Sequence, residues 1–137
     1  MLLLGTALAL AACASNDDPD LPTLSAATPG TLQSCTDLAT KATSANTTIA
    51  SSTLVAAGAL TVTGVTTPMP EHCLVKGEMN RRTSAVDGKS YAIGFEMRLP
   101  TAWNGRYFYQ ANGGIDGSVV TATGPTSGGA PVSNALQ

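Results

Sequence analysis

Between residues 91 and 99 the chain alternates with a period of two. Tyr91, Ile93, Phe95, Met97 and Leu99 are large and apolar, and Glu96 and Arg98 fall between them. That period predicts a strand with one buried face. Glu96 and Arg98 are then a solvated strand face or part of a cross-strand pair. Pro100, which has no N–H to give to a ladder, ends the run. Upstream, residues Cys73 to Asn80 are strand-like, and Asp87-Gly88 marks a turn between the two runs. Downstream, Asn104-Gly105 marks a second turn. Within 106–111 the uninterrupted aromatics Tyr107, Phe108 and Tyr109 predict a strand covered on both faces. A glycine loop, Asn112-Gly113-Gly114-Ile115-Asp116-Gly117, follows at once. Tyr91, Phe95, Tyr107 and Phe108 are therefore expected in the core.

The first half of the chain patterns differently. Residues Met1 to Ala12 are almost wholly apolar and small, and they run into Leu10-Ala11-Ala12-Cys13. Such a segment resembles the lipobox of bacterial lipoproteins, in which small residues flank the cut and a cysteine is acylated. No positive charge precedes it, since the first is Lys41. A plain export signal, or a buried helix with a chance cysteine, are the other readings. Residues 14–33 are rich in Asp, Asn, Pro, Thr and Gly and read as a flexible linker. A short helix follows, with Ser34 and Asp37 as a capping-box variant and an end near 41–43. Thr48 to Val55 is a weak candidate strand, and Gly58 and Gly64 break what comes next.

Composition narrows the function. The chain has 137 residues, of which 4% are aromatic and 12% charged, so one domain with a thin core is the most it can build. All the aromatic side chains lie after residue 68, which predicts an ordered second half. A net charge of −2 without any basic cluster beyond Arg81-Arg82 gives no electrostatic basis for binding nucleic acid. No apolar run reaches the roughly 18–20 residues that span a bilayer. Contact with membrane lipid would come through acylation of Cys13. No motif specifies a protein partner. With Cys13 acylated, Cys35 and Cys73 remain as an even pair, either a disulfide of an oxidising compartment or two buried thiols. A bridge closing that loop would stabilise by about 3–4 kcal/mol in the chain-entropy account.

Four blocks carry a more specific signal. They are Pro70-Glu71-His72-Cys73-Leu74-Val75-Lys76-Gly77, Ile93-Gly94-Phe95-Glu96-Met97-Arg98-Leu99-Pro100, Trp103-Asn104-Gly105-Arg106-Tyr107-Phe108 and Asn112-Gly113-Gly114. In this order and spacing, residues 34–137 resemble the opening of the tannase/feruloyl esterase family, above all its bacterial members that hydrolyse terephthalate monoesters. The resemblance implies a fold of class α/β, with residues 34–137 as the N-terminal part of an α/β-hydrolase. The first strands of its central sheet would lead into the loop that supplies one oxyanion-hole N–H. It implies that Cys35 and Cys73 form the family's N-terminal disulfide. It implies that the backbone N–H of Gly114 belongs to the oxyanion hole, with Gly113, Ile115 and Asp116 as substrate-binding positions. The implied substrate is a small feruloyl, galloyl or terephthalate-type aromatic ester, cleaved through an acyl-enzyme. Calcium is the one metal implied, in a lid domain beyond this stretch.

The chemistry-bearing groups themselves are missing. A nucleophile elbow reads Gly-x-Ser-x-Gly, but Asp116 precedes Ser118 where a glycine belongs, and Pro125 does the same for Ser127. The single histidine, His72, reads as structural. Asp116 and Ser118 either line a cleft or cap the loop. Residues 34–137 are accordingly expected to be a truncated piece of an exported esterase, inactive alone. The alternative is a small exported lipoprotein β-domain with a binding or structural role.

Overall fold

The computed structural model describes residues 25–110, 117–123 and 136. Strand β1 is Gly30–Thr31, helix α1 is Leu38–Lys41, and strands β2, β3, β4 and β5 are Thr47–Val55, His72–Thr83, Ser90–Pro100 and Ala102–Trp103. The long strands form one antiparallel sheet in the order β2-β3-β4, and β1 pairs with β5 in a second small sheet. The strands expected at 73–80 and 91–99 are both present, and the weak signal at 48–55 is also a strand.

The hairpin of β3 and β4 is closed by the turn that Asp87-Gly88 announced. The Ser84 amide donates to the Lys89 carbonyl at 2.8 Å and the Gly88 amide to the Ser84 carbonyl at 3.0 Å. Gly88 sits at φ 70°, where a glycine carries no steric cost. Its tyrosine neighbour Tyr91 donates from its hydroxyl to the Asp87 carboxylate at 2.6 Å.

The described residues do not build the expected opening of an α/β-hydrolase. They are nearly all β, both sheets are antiparallel, and the one helix has four residues. The connection sets this sense. A parallel pair needs a crossover of about a dozen residues or more, and residues 84–89 are too few for one. Residues 56–71 could have carried a crossover helix, but Pro68, Pro70 and two glycines interrupt them. The expected aromatic strand is also absent. Residues 106–110 are irregular, and Tyr107, Phe108 and Tyr109 are exposed. Tyr91 is exposed as well, so of the four expected core aromatics only Phe95 packs inward.

The core lies on one face of the sheet. Cys73 and Val75 are fully buried, facing Leu99 and Met97 across the ladder. Leu32, Leu38, Ile49 and Phe95 pack around them. Cys35, just before α1, is bonded to Cys73 with 5.4 Å between their Cα atoms, so the pair is a disulfide and not two thiols. The capping box is not formed. Asp37 stands at the helix start, but its carboxylate binds Lys41 at 2.7 Å and no backbone amide. That ion pair also holds the Asp37 carboxyl below the usual carboxylate range. Among the described residues no helix is long and apolar enough to cross a membrane.

Candidate functional site

The glycine loop is entered from a well-defined turn. The Trp103 indole N–H donates to the Arg106 carbonyl at 2.8 Å, and the Asn104 side-chain oxygen accepts the Arg106 amide at 3.0 Å. Trp103-Asn104-Gly105-Arg106 thus acts as the turn its sequence indicated. The candidate positions Gly113, Gly114, Ile115 and Asp116 lie outside the described residues, as does Cys13. The chain is described again from Gly117 onward.

Residues 117–123 run over the second face of the sheet, which alternation marked as polar. On that face His72, Leu74 and Lys76 of β3 lie opposite Pro100, Arg98 and Glu96 of β4. Neither Glu96 nor Arg98 is solvated: their side chains are 4% and 7% exposed. Glu96 Oε1 accepts from Arg98 Nη2 at 3.0 Å and from the Ala122 amide at 3.1 Å. Its other oxygen faces Lys76, directly across the ladder, at 3.6 Å. The cross-strand pair is therefore Lys76–Glu96, and the solvated-face alternative is wrong. Val119 packs on Gly94, where an added Cβ would stand 2.5 Å from Val119 Cγ2. A residue without a side chain is what lets the segment lie this close to β4.

His72 is fully buried at the far end of this network. Its Nδ1 is 2.8 Å from the Pro70 carbonyl and its Nε2 is 2.9 Å from Arg98 Nη1. A carbonyl only accepts and a guanidinium only donates. The hydrogen bonds therefore assign the proton to Nδ1 and the lone pair to Nε2, a neutral ring. With both nitrogens engaged, His72 has no lone pair to offer a nucleophile, in keeping with its structural reading. Arg98 Nε is buried and makes no hydrogen bond among the described residues.

The network was not foreseen as a unit. His72, Lys76, Glu96 and Arg98 share a face only in the register that a bulge between Met79 and Arg82 creates. Counting outward from Asp87-Gly88 without that bulge pairs the wrong residues. At the bulge itself, Asn46, Thr48, Asn80, Arg81 and Arg82 line an open groove of about 400 Å³. Arg81 is neutralised there by Glu78, and Arg82 lies over the Tyr91 ring, 5.9 Å from its centroid. This groove sits at the opposite end of β3 from His72. No group of three or more His, Cys, Asp or Glu side chains suited to a metal ion stands together among the described residues.

No family model matches the chain. It is 46% identical over 61 residues to the mono(2-hydroxyethyl) terephthalate hydrolase of Piscinibacter sakaiensis. The match covers 44% of this chain and 10% of that protein, so it spans about a tenth of the length of the curated relative. The relative is an ester hydrolase by its name. The tannase/feruloyl esterase assignment finds no support beyond the four sequence blocks.

Proposed function

We propose that these residues belong to an exported carboxylic ester hydrolase that acts on small esters of aromatic acids. The observation that carries this reading is the 46% identity over 61 residues to an ester hydrolase. Export is supported by the Cys35–Cys73 bridge, since such bonds persist in oxidising compartments. In this proposal Cys13 is acylated and tethers the protein to a membrane.

The reaction proceeds through an acyl-enzyme. A serine hydroxyl, deprotonated by a histidine, attacks the ester carbonyl, and the alcohol leaves with the proton that the histidine took. Water then repeats the sequence and releases the acid. The 137 residues hold no Gly-x-Ser-x-Gly elbow, and both nitrogens of His72 are engaged. The proposal therefore assigns the nucleophile and its base to polypeptide outside these residues. The role kept for this stretch is the N–H of Gly114, directed at the oxygen on which negative charge develops. Gly113, Ile115 and Asp116 border the ester. A side chain at 114 would crowd the carbonyl, which is why glycine stands there.

The test is hydrolysis by the intact gene product of mono(2-hydroxyethyl) terephthalate, ethyl ferulate and propyl gallate. Release of acid from at least one is expected, with labelling of a serine by a fluorophosphonate. No release from any of them sinks the reading. Gly114→Val in the same protein should cut kcat by on the order of 100- to 1,000-fold, the cost of one lost oxyanion donor, with its melting temperature preserved. Unchanged turnover removes Gly114 from the site. For the tether, wild type should take up a labelled fatty acid and Cys13→Ser should not.

One observation favours a second reading, a small exported β-domain that binds a partner. Tyr107 and Tyr109 are 76% and 73% exposed, and clustered exposed aromatics mark binding surfaces. If the 137-residue chain alone stays folded and monomeric during size-exclusion chromatography, that reading gains. Aggregation argues for a piece that needs the remainder of a larger protein.

A further inference from the structure

We infer that two copies of this chain associate through the outer edge of β2. Residues 51–55 of one copy pair antiparallel with residues 51–55 of the second, across a two-fold axis at Thr53. The interface is independent of the ester-hydrolase reading and adds to it a self-association surface.

Three observations carry it. First, β2 ends its sheet: the order is β2-β3-β4, so β3 is its single neighbour there. Among the described residues, no backbone hydrogen bond reaches 48–55 from beyond the β2–β3 ladder. Leu38 of α1 packs into the core beneath the sheet, and the Thr36 carbonyl accepts the Ser52 hydroxyl from that side at 3.4 Å. The outward N–H and C=O groups of such an edge are a template for another strand. Second, this edge lacks the usual guards against pairing, which are charges, prolines and bulges. β2 reads Thr-Thr-Ile-Ala-Ser-Ser-Thr-Leu-Val, without a charge or a proline. Its one irregularity is at Ala50, which the register skips between Ile49 and Ser51, and 51–55 run on without interruption. The opposite edge strand, β4, holds Glu96, Arg98 and Pro100, and the Ala122 amide is bonded to its Glu96.

Third, residues 51–55 are complementary to themselves. A two-fold axis perpendicular to the sheet keeps each face on its own side, so only residues of one face can meet. Ser52 and Leu54 lie opposite Val75 and Cys73, on the core face, while Ser51, Thr53 and Val55 share the other. Centred on Thr53, the axis sets Thr53 against Thr53, Ser52 against Leu54 and Ser51 against Val55. No charge meets its like, and opposed threonines are a favourable cross-strand pair. Centred on Ser52 instead, it would bring Leu54 against the bulged Ala50. Leu54, 51% exposed at this edge, gains cover beside Ser52 of the second copy. Every other copy of the chain therefore offers a strand of equal length, without charge, whose faces match. Five residues a side fall well short of the roughly 20–30 of a standard interface, so the dimer is transient and set by concentration.

The experiment uses the intact gene product and size-exclusion chromatography with light scattering. Wild type should pass from monomer to dimer between about 1 and about 100 μM, as a dissociation constant on the order of 10 μM dictates. Thr53 is exposed, so a charge there spares the folded monomer and sets like charges face to face in the dimer. Thr53→Lys and Thr53→Glu should each raise the dissociation constant at least about tenfold, with unchanged melting temperatures. An equimolar mixture of the two should associate again, since only self-opposition at position 53 pairs lysine with glutamate. Should the variants fail to fold, hydrogen exchange of wild-type residues 51–55 decides: it should slow as concentration rises through the same range. Wild type that stays monomeric at about 100 μM overturns the interface. So does a dimer that both variants leave intact, or one that mixing does not restore. Protection of 51–55 that is independent of concentration assigns the edge to another part of the polypeptide and overturns it as well. None of these outcomes touches ester hydrolysis, which is measured separately.

Discussion

The two ends of the β3–β4 hairpin have the same alternation and different fates. At the end formed by residues 72–77 and 95–100, one face is packed beneath Leu32, Leu38 and the Cys35 sulfur. On the other face the Ala122 amide reaches the buried Glu96 carboxylate. At the end formed by residues 78–83 and 90–94, the same apolar parity continues through Met79, Ile93 and Tyr91, and all three are exposed. Alternation therefore identifies which side chains share a face. Whether that face is buried depends on what the chain brings over it from far away in sequence. The Cys35–Cys73 bond, across 38 residues, is the largest such contribution. Replacing both cysteines by alanine should cost about 4 kcal/mol in the chain-entropy account, read by urea unfolding under oxidising conditions. A loss below about 1 kcal/mol would mean that packing alone covers the near end, and the contrast with the far end would need another cause.

A pair of truncations sharpens the contrast at matched chemistry. Val75 is fully buried and Ile93 is 56% exposed, and both point to the apolar side of the sheet. Val75→Ala should destabilise by about 2–3 kcal/mol, the lost transfer free energy plus the cavity. Ile93→Ala should lie within about 0.5 kcal/mol of wild type, as surface changes do, although it removes more carbon. Equal losses in the intact protein would show that something covers Ile93 there.

The same contrast explains what could be read beforehand. The strands at 73–80 and 91–99 and the turns at Asp87-Gly88 and Asn104-Gly105 depend on neighbours in sequence, and they are where the pattern put them. The disulfide was one of two open readings of Cys35 and Cys73. The α/β expectation failed because it joined correct strands in the order that the resemblance implied. The connection at 84–89 permits only an antiparallel neighbour. Tyr107-Phe108-Tyr109 misled because aromatic content reports a need for cover and not a backbone geometry. Glu96 and Arg98 misled in the opposite direction. Their alternation marks a polar face, but nothing local says that Ala122 will sit on it. The bulge between Met79 and Arg82, which sets the register joining His72 to this network, leaves no mark in the composition. Gly114, proposed for the oxyanion hole, and Gly113, Ile115 and Asp116, proposed to border the ester, fall outside the described residues.

The smallest expected effect belongs to the exposed end, and its sign can be worked out. Tyr91 donates to Asp87 beside the hairpin turn, and this bond, with the Lys89 amide behind it, lowers the Asp87 carboxyl from its ordinary 3.8. The same bond raises the Tyr91 hydroxyl from its ordinary 10.0. A lowered carboxylate stabilises the fold above its unfolded value, and that contribution disappears as pH falls through the folded one. A raised hydroxyl stabilises below its unfolded value and loses the contribution as pH rises through the folded one. The Asp87–Tyr91 pair should therefore hold across the neutral range, loosening in acid below 3.8 and again in base above 10.0. Both groups are solvent-exposed, so screening keeps the effect local to the turn. Carbon-detected NMR titration of the Asp87 carboxyl reads it directly. Tyr91→Phe should move the Asp87 midpoint upward, toward the ordinary value. A midpoint unmoved by Tyr91→Phe would mean that the turn's own amides hold the carboxylate. The exposed end would then be set by backbone geometry alone, whereas the buried end is set by side chains drawn from elsewhere.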